Sequence, residues 1–354
     1  MLIDCDVHQN FPPGFSVVDF LDEPYRSEVA EFGPRRISSG IRFEDGGMRR
    51  DAIAPDGRQG GKDPGWTAEH LMDTYGHRYA LLTGEAGMIA GIPDPGYASA
   101  ICTAWNRMTH QCWLPADRRY LTGVKIALQD PAGAAREIEQ WAGHPRVVCA
   151  LASGNAHRIP FGQSFYWPVY EACARHGLPL HIHPATTAAL AAPATGASGV
   201  MTNYLQGHAC LPQFFQSDLI SMVLEGVFEK FPGLKVVMVE GGFAWLPHVV
   251  WRMDKEFKAL RQQAPFLRRL PSEYVRDHVK LTTQPIEEPL QARHLPMLLD
   301  LMEGDRALMY ASDYPHYDFD EPSVLPRGLS EETRRRILHD NAAEFFPLPK
   351  ESAE

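Results

Sequence analysis

Eight short apolar runs, each followed by a stretch of helical pattern, alternate along this chain of 354 residues. LIDCDVH (2–8), YALLT (79–83), LTGVKIAL (121–128) and RVVCALA (146–152) are the first four candidate strands. LPLHIH (178–183), LKVVMVE (234–240), VKLTT (279–283) and ALMYAS (307–312) are the others. Helical patterns lie at 66–76, 95–113, 131–143, 164–177, 212–230, 243–263, 290–302 and 329–346. Strands buried on both faces read as near-continuous apolar runs, and βα alternation builds a parallel sheet. Eight such units are the count of a closed α/β fold, the (β/α)8 TIM barrel. An open doubly wound sheet would carry a Gly-rich phosphate loop after the first strand, and none is there. The expectation is one (β/α)8 domain over 1–354, distorted by long loops after strands one and five.

Those two connections are too long to be plain turns. Residues 9–65, with ISSGIRFEDGG and APDGRQGGKDPG, form an inserted region expected to build part of a pocket. Residues 184–211 contain TTAALAAPATGASG. In a barrel both would leave from the C-terminal face, where active sites are assembled, so both read as lids or pocket walls.

The net charge of −10 argues against a general affinity for nucleic acid or anionic membranes, and no apolar run is long enough to span a bilayer. A first strand starting at residue 2 leaves no room for a signal peptide. The six cysteines (5, 102, 112, 149, 173 and 210) form no C-x-x-C pair and sit in apolar company, which points to reduced core thiols and a cytoplasmic protein. A small molecule is the expected partner. FAWLPHVVW offers apolar side chains either to a homodimer interface or to the barrel's outer layer.

The chemistry gathers at strand ends. Side chains alternate along a strand, so Asp4, Asp6 and His8 are expected to share one face, and His181 and His183 another. Glu240 ends strand six; Asp313 and His316 follow strand eight. A barrel brings strands one, five, six and eight to one rim, where Asp6, His8, His183 and Asp313 could converge. Two imidazoles and two carboxylates suit one divalent ion, zinc by preference and manganese as the alternative.

DCDVH, GLPLHIHPA, PGLKVVMVEGGFAWLP, SDYPHYDFD and RRRILHDNAAEFF together resemble the amidohydrolase-related family of metal-dependent barrels. The similar branch holds aminocarboxymuconate-semialdehyde decarboxylase and the γ-resorcylate-type decarboxylases. The resemblance implies Asp6, His8, His183 and Asp313 as ligands, with His183 preferred to His181 because it precedes Pro-Ala. It also departs from the pattern: relatives that decarboxylate usually carry His where this chain has Glu240.

Glu240 inclines the reading to hydrolysis of a small cyclic or carboxylated molecule by metal-activated water. Asp313 would move the proton, with Glu240 and His181 sharing proton transfer or holding substrate. The alternative is non-oxidative decarboxylation of an aromatic or unsaturated acid, with Asp313 protonating carbon. A barrel that binds a ligand without turnover is the alternative of another class. His208, His316, Arg49 and Arg50 are candidate substrate-binding residues. Lys125 reads as packing, His248 and Arg252 as a helix face, and Glu287 and Glu288 as carboxylates at a helix start.

Overall fold

The computed structural model describes residues 2–35, 47–84, 87–154, 159–184 and 203–350. The strands are β1 (Leu2–Val7), β2 (His77–Leu82), β3 (Tyr120–Ile126), β4 (Val147–Ser153), β5 (Leu180–His183), β6 (Val236–Met238), β7 (Val279–Thr282) and β8 (Leu308–Met309). All neighbours pair in parallel in sequence order, and β5 sits with Ser153 of β4 opposite His183. The chain after β8 completes the barrel against β1: Cys5 N–H donates to Tyr310 C=O (3.0 Å) and His8 N–H to Tyr314 C=O (2.7 Å). The expected (β/α)8 barrel is what the chain forms.

Three Asp-Pro pairs start helices. Asp63, Asp94 and Asp130 each accept backbone N–H groups of the first turn, with proline at the first helical position. Such a cap contributes about 1 kcal/mol, and the proline gives up a donor that had no partner in any case. Gly177, at φ 64, ends the Trp167–His176 helix where the sequence marks a stop. The helix expected over 212–230 breaks instead into Leu211–Leu224 and Val227–Lys230. Gly226 between them has φ 77, and a Cβ there would stand 2.7 Å from the Phe266 ring. The pattern over 95–113 runs as Pro95–Met108 and then widens to one π turn, Thr109–Trp113. The 9–65 insertion holds a helix of its own, Tyr25–Phe32, which its loop-like composition hides.

The barrel interior is packed below its mouth. Ile3, Cys5, Leu81, Leu121, Cys149, Val237 and Met309 cluster from strands all round the sheet. Val7, by contrast, clusters with residues of the surrounding helices such as Trp105 and Met108. A register irregularity in β1 between Asp4 and Val7 accompanies this change of side. Asp4 is thereby separated from the rim: its carboxylate takes the backbone N–H groups of Ser312 (3.0 Å) and Asp6 (3.2 Å) and lies 3.2 Å from His77 Nε2. It pins the segment after β8 to β1 and does not reach the mouth. Among the described residues, no helix is long and apolar enough to cross a membrane.

Candidate metal centre

Asp6 and His8 at the end of β1, His183 at the end of β5 and Glu240 just past β6 bring their donor atoms within 4.8 Å of one another. His8, Asp313 and His316 form a second such group that shares His8. The Nε2 atoms of His8 and His183 are 3.2 Å apart. Asp6 lies 3.5 Å from each of them, through Oδ1 and Oδ2 respectively. Asp313 Oδ1 is 3.0 Å from His8 Nε2, and Glu240 Oε2 is 3.0 Å from His183 Nε2.

Backbone and neighbouring side chains fix these donors. His183 Nδ1–H donates to the Pro184 carbonyl at 2.9 Å, which leaves the Nε2 lone pair of the neutral ring pointing into the cluster. Thr83 donates to Asp6 Oδ1 at 2.6 Å, whereas Asp6 Oδ2 is buried and accepts no hydrogen bond from any described residue. An ionised oxygen left in that state costs free energy unless a cation faces it. This donor chemistry fits a divalent metal.

Glu240 and Asp313 both sit in left-handed backbone conformation, at φ 58 and φ 60. For a residue with a Cβ this costs on the order of 1 kcal/mol or more, and such strain clusters where side chains must be aimed. Asp313 is aimed by three partners: His316 Nδ1–H donates to it at 2.7 Å, His8 lies beside it, and Gln284 Nε2 is 3.4 Å away. Glu240 Oε1 meets His208 Nε2 at 3.3 Å, and His208 also lies 3.4 Å from Asp318 Oδ2.

The charges are strongly interdependent. Burial opposes ionisation of Asp6, yet His8 and His183 hold its carboxyl well below the usual range. Burial likewise disfavours a charged His183, but Asp6 and Glu240 outweigh it and raise the ring to about 10. Asp318 moves the other way, pushed up to about 7 by burial and by the neighbouring Asp313 and Glu240 charges. The mouth thus concentrates negative charge that holds protons when no other cation balances it.

Of the residues expected at the site, Asp6, His8, His183, Glu240, Asp313, His208 and His316 come together. His181 does not join them: it is fully buried, and its Nε2–H donates to the Cys5 carbonyl at 3.0 Å. Burial lowers its pKa to about 4, so it stays neutral. Arg49 lies against the mouth; it pairs with Asp51 through Nε and Nη2 (2.6 and 2.5 Å), and its guanidinium lies 4.0 Å from the Phe319 ring centre. Arg50 is exposed, as are His248 and Arg252. Lys125 is buried, donating to the Thr83 carbonyl with its ammonium 5.2 Å from the Trp105 ring. Glu287 accepts the N–H groups of Phe243 and Ala244, just before the Leu246–Leu260 helix. Most of the 184–211 connection, and residues 36–46 of the first, lie outside the described residues.

Sequence reasoning passed over Gln284 and Asp318. Gln284 bonds Asp318 Oδ2 at 3.1 Å and reaches Asp313, tying the end of β7 to the segment after β8. Both had a signal: Gln284 directly follows a candidate strand, and Asp318 is the second acid of SDYPHYD.

Known proteins share this barrel fold. The family model described as amidohydrolase matches residues 3–348. The γ-resorcylate decarboxylase of Polaromonas sp. strain JS666 is 23% identical over 295 residues, which are 78% of this chain and 86% of that protein. The crystal structure of 5-carboxyvanillate decarboxylase from Sphingomonas paucimobilis superposes with a TM-score of 0.70 at 24% identity, over 98% of this chain and 99% of that one. That of a dihydroxybenzoic acid decarboxylase from Polaromonas, holding manganese and 2-nitroresorcinol, gives 0.62 at 19% identity, over 97% and 96%.

Proposed function

The chain belongs to the amidohydrolase family, and from that premise we propose that its rim site is the divalent-metal centre of a non-oxidative decarboxylase acting on an aromatic carboxylic acid. The observation that carries the metal is the pair of imidazole Nε2 atoms 3.2 Å apart beside Asp6 Oδ2, which accepts no hydrogen bond from a described residue. Decarboxylation is supported over hydrolysis by the activities for which the relatives above are named. The hydrolytic reading gives the water proton to Asp313 and leans on Glu240 to share its transfer or hold substrate. Glu240 is instead held beside the metal donors, with Oε1 against His208 and Oε2 3.0 Å from the His183 Nε2 that would face the ion, which supports a positioning role.

Asp6, His8, His183 and Asp313 would hold one ion; zinc and manganese both suit this set, and manganese is what the Polaromonas structure holds. When bound, the ion would supply positive charge that offsets the negative charge of the substrate acid. The bond between ring carbon and carboxylate then breaks, the electron pair stays on the carbon, and CO2 leaves. His316 and His8 hold Asp313 ionised, so it takes the hydroxyl proton of the bound acid and passes it to that carbon, and its 2.7 Å contact with His316 Nδ1 holds it in place. Gln284 and Asp318 frame the same corner.

The test is to load the protein with manganese or zinc and offer 2-hydroxybenzoates in D2O, with anilides and lactones as the counter-panel. The expected result is CO2 release with one deuterium on the vacated ring carbon. Amide or lactone cleavage without CO2 would return the hydrolase reading to first place.

A further inference from the structure

Glu240 reaches the cluster from a strained turn, and that turn is held from outside. Glu240 has φ 58 and Gly242 has φ 61. None of the N–H groups from Glu240 to Ala244 donates to a backbone carbonyl of a described residue. Three of them go instead to side chains of one segment, 282–287 at the end of β7. Glu240 N–H donates to Thr282 Oγ1 (3.1 Å), and Phe243 and Ala244 N–H donate to Glu287 Oε1 (2.9 and 2.8 Å). The indole N–H of Trp245 takes the Gly241 and Gly242 carbonyls, at 3.0 Å each. A left-handed residue with a Cβ persists only where its surroundings over-determine it. Glu287 is the largest part of those surroundings.

The approach of Glu287 is close. A Cβ on Gly242 would stand 2.9 Å from Glu287 Oε1, and one on Gly241 2.2 Å from the Phe215 ring. Glu287 is half-buried and forms no ion pair with a described residue, so its charge serves the two N–H groups alone. Bonds of that kind are about twice as strong as neutral ones. The same segment grips the other side of the mouth. Gln284 Nε2 lies 3.4 Å from Asp313 Oδ2 and 3.1 Å from Asp318 Oδ2, and Ile286 N–H donates to Asp320 Oδ2 at 2.7 Å. Residues 282–287 thus tie the Glu240 turn to the Asp313 turn, the two left-handed carboxylate positions of the rim.

We propose that Glu287 is the positioning residue for Glu240. By holding the 240–244 turn it keeps Glu240 Oε2 3.0 Å from His183 and Oε1 3.3 Å from His208, without itself touching substrate. This rests on the rim being a metal centre and not on which bond is broken there. A Glu287 that only starts the Leu246–Leu260 helix would cost stability when removed and leave the surroundings of the ion as they were.

The experiment loads the full chain with cobalt(II), whose visible absorption reports the surroundings of the ion, and measures kcat and KM on 2-hydroxybenzoates with manganese. Glu287→Ala is expected to shift the cobalt spectrum as Glu240→Gln does, and to lower kcat about tenfold or more with KM held within about twofold. Adding Glu287→Ala to Glu240→Gln should change neither further, because both act on one side chain. Glu287→Gln keeps an oxygen for both N–H groups and is expected to recover most of both signals. If Glu287→Ala folds poorly, Glu287→Asp decides: it keeps the charge at the helix start but withdraws the oxygen by one methylene, so it should show the same shift. A parental spectrum in a folded Glu287→Asp, losses that multiply with those of Glu240→Gln, or a chain that takes up no cobalt overturns the proposal. The matched shift on a chain that releases no CO2 keeps Glu287 in this role and refutes the decarboxylase reading. CO2 release that Glu287→Ala leaves at the parental rate does the reverse.

Discussion

The Nε2 atoms of His8 and His183 face each other at 3.2 Å, and the His183 ring is locked in that direction by its Nδ1 bond to Pro184. Two neutral rings that both present lone pairs would repel, so the pair needs either a proton or a cation between them. With a metal at 100 times its Kd, binding adds about 2.7 kcal/mol to folded-state stability. For a chain of this length that is a shift of about 4 °C in Tm. The purified protein is expected to carry about one equivalent of zinc or manganese by plasma mass spectrometry and to lose that increment on chelation. His183→Ala should carry none and melt at the same temperature with or without chelator. A variant that keeps its metal would remove His183 from the ligand set.

Asp313→Asn tests proton delivery with little disturbance of the backbone. Asp313 holds φ 60, a conformation that asparagine adopts more readily than other residues with a Cβ. The fold should survive, with Tm within about 2 °C of the parent measured without metal, because this is a near-isosteric change. Turnover should fall by about 10² to 10⁴, the range for loss of a positioned acid or base. Near-normal kcat in the asparagine variant would assign the proton to another group.

The barrel itself was legible because each strand is apolar on both faces, a pattern that only burial between a packed interior and a helical layer explains. The rim residues were legible because parallel strands put their C-terminal ends on one edge. What the pattern could not carry was local geometry. A strict alternation places Asp4 with Asp6 and His8, but the irregularity in β1 leaves Asp4 bonding Ser312 and His77. His181 and His183 share a face, yet two residues along the strand axis separate a ring bonded to Cys5 from a ring in the cluster. Depth within a barrel does not register in a two-residue period. The place of Arg49 against the mouth was harder still, since it depends on backbone bonds across a long insertion rather than on any periodicity.

Glu240 and His208 should behave as one unit, because the carboxylate joins His183 on one side to His208 on the other. Groups packed just outside a metal's ligands typically affect metal affinity or activity by 10- to 100-fold. Glu240→Gln is expected to retain its metal and lose about that factor in kcat. His208→Asn should give a similar loss, and the double variant should be little worse than either alone. Losses that multiply would mean that the two side chains act separately, and metal loss in Glu240→Gln would make Glu240 a ligand.

The last prediction lies away from the mouth. His110 stacks on Trp141 at 3.9 Å and meets the His144 ring edge-on at 4.6 Å. Burial, then the His144 and Arg146 charges, lowers its pKa to about 4. The unfolded ring, near 6.5, therefore binds a proton that the folded ring refuses. Between those values the unfolded state holds more protons, so stability rises with pH across the window. The contribution is complete above about pH 6.5 and is lost as pH falls toward 4. His110→Gln removes the titrating ring at some cost in packing on Trp141. Urea unfolding of parent and variant at pH 7.5 and 4.5 is the measurement. The gap between them should narrow at pH 4.5, where the parent has lost the benefit of its neutral ring. A gap that stays constant across the two pH values would mean that His110 titrates alike in both states and that its stack on Trp141 does not select the neutral form.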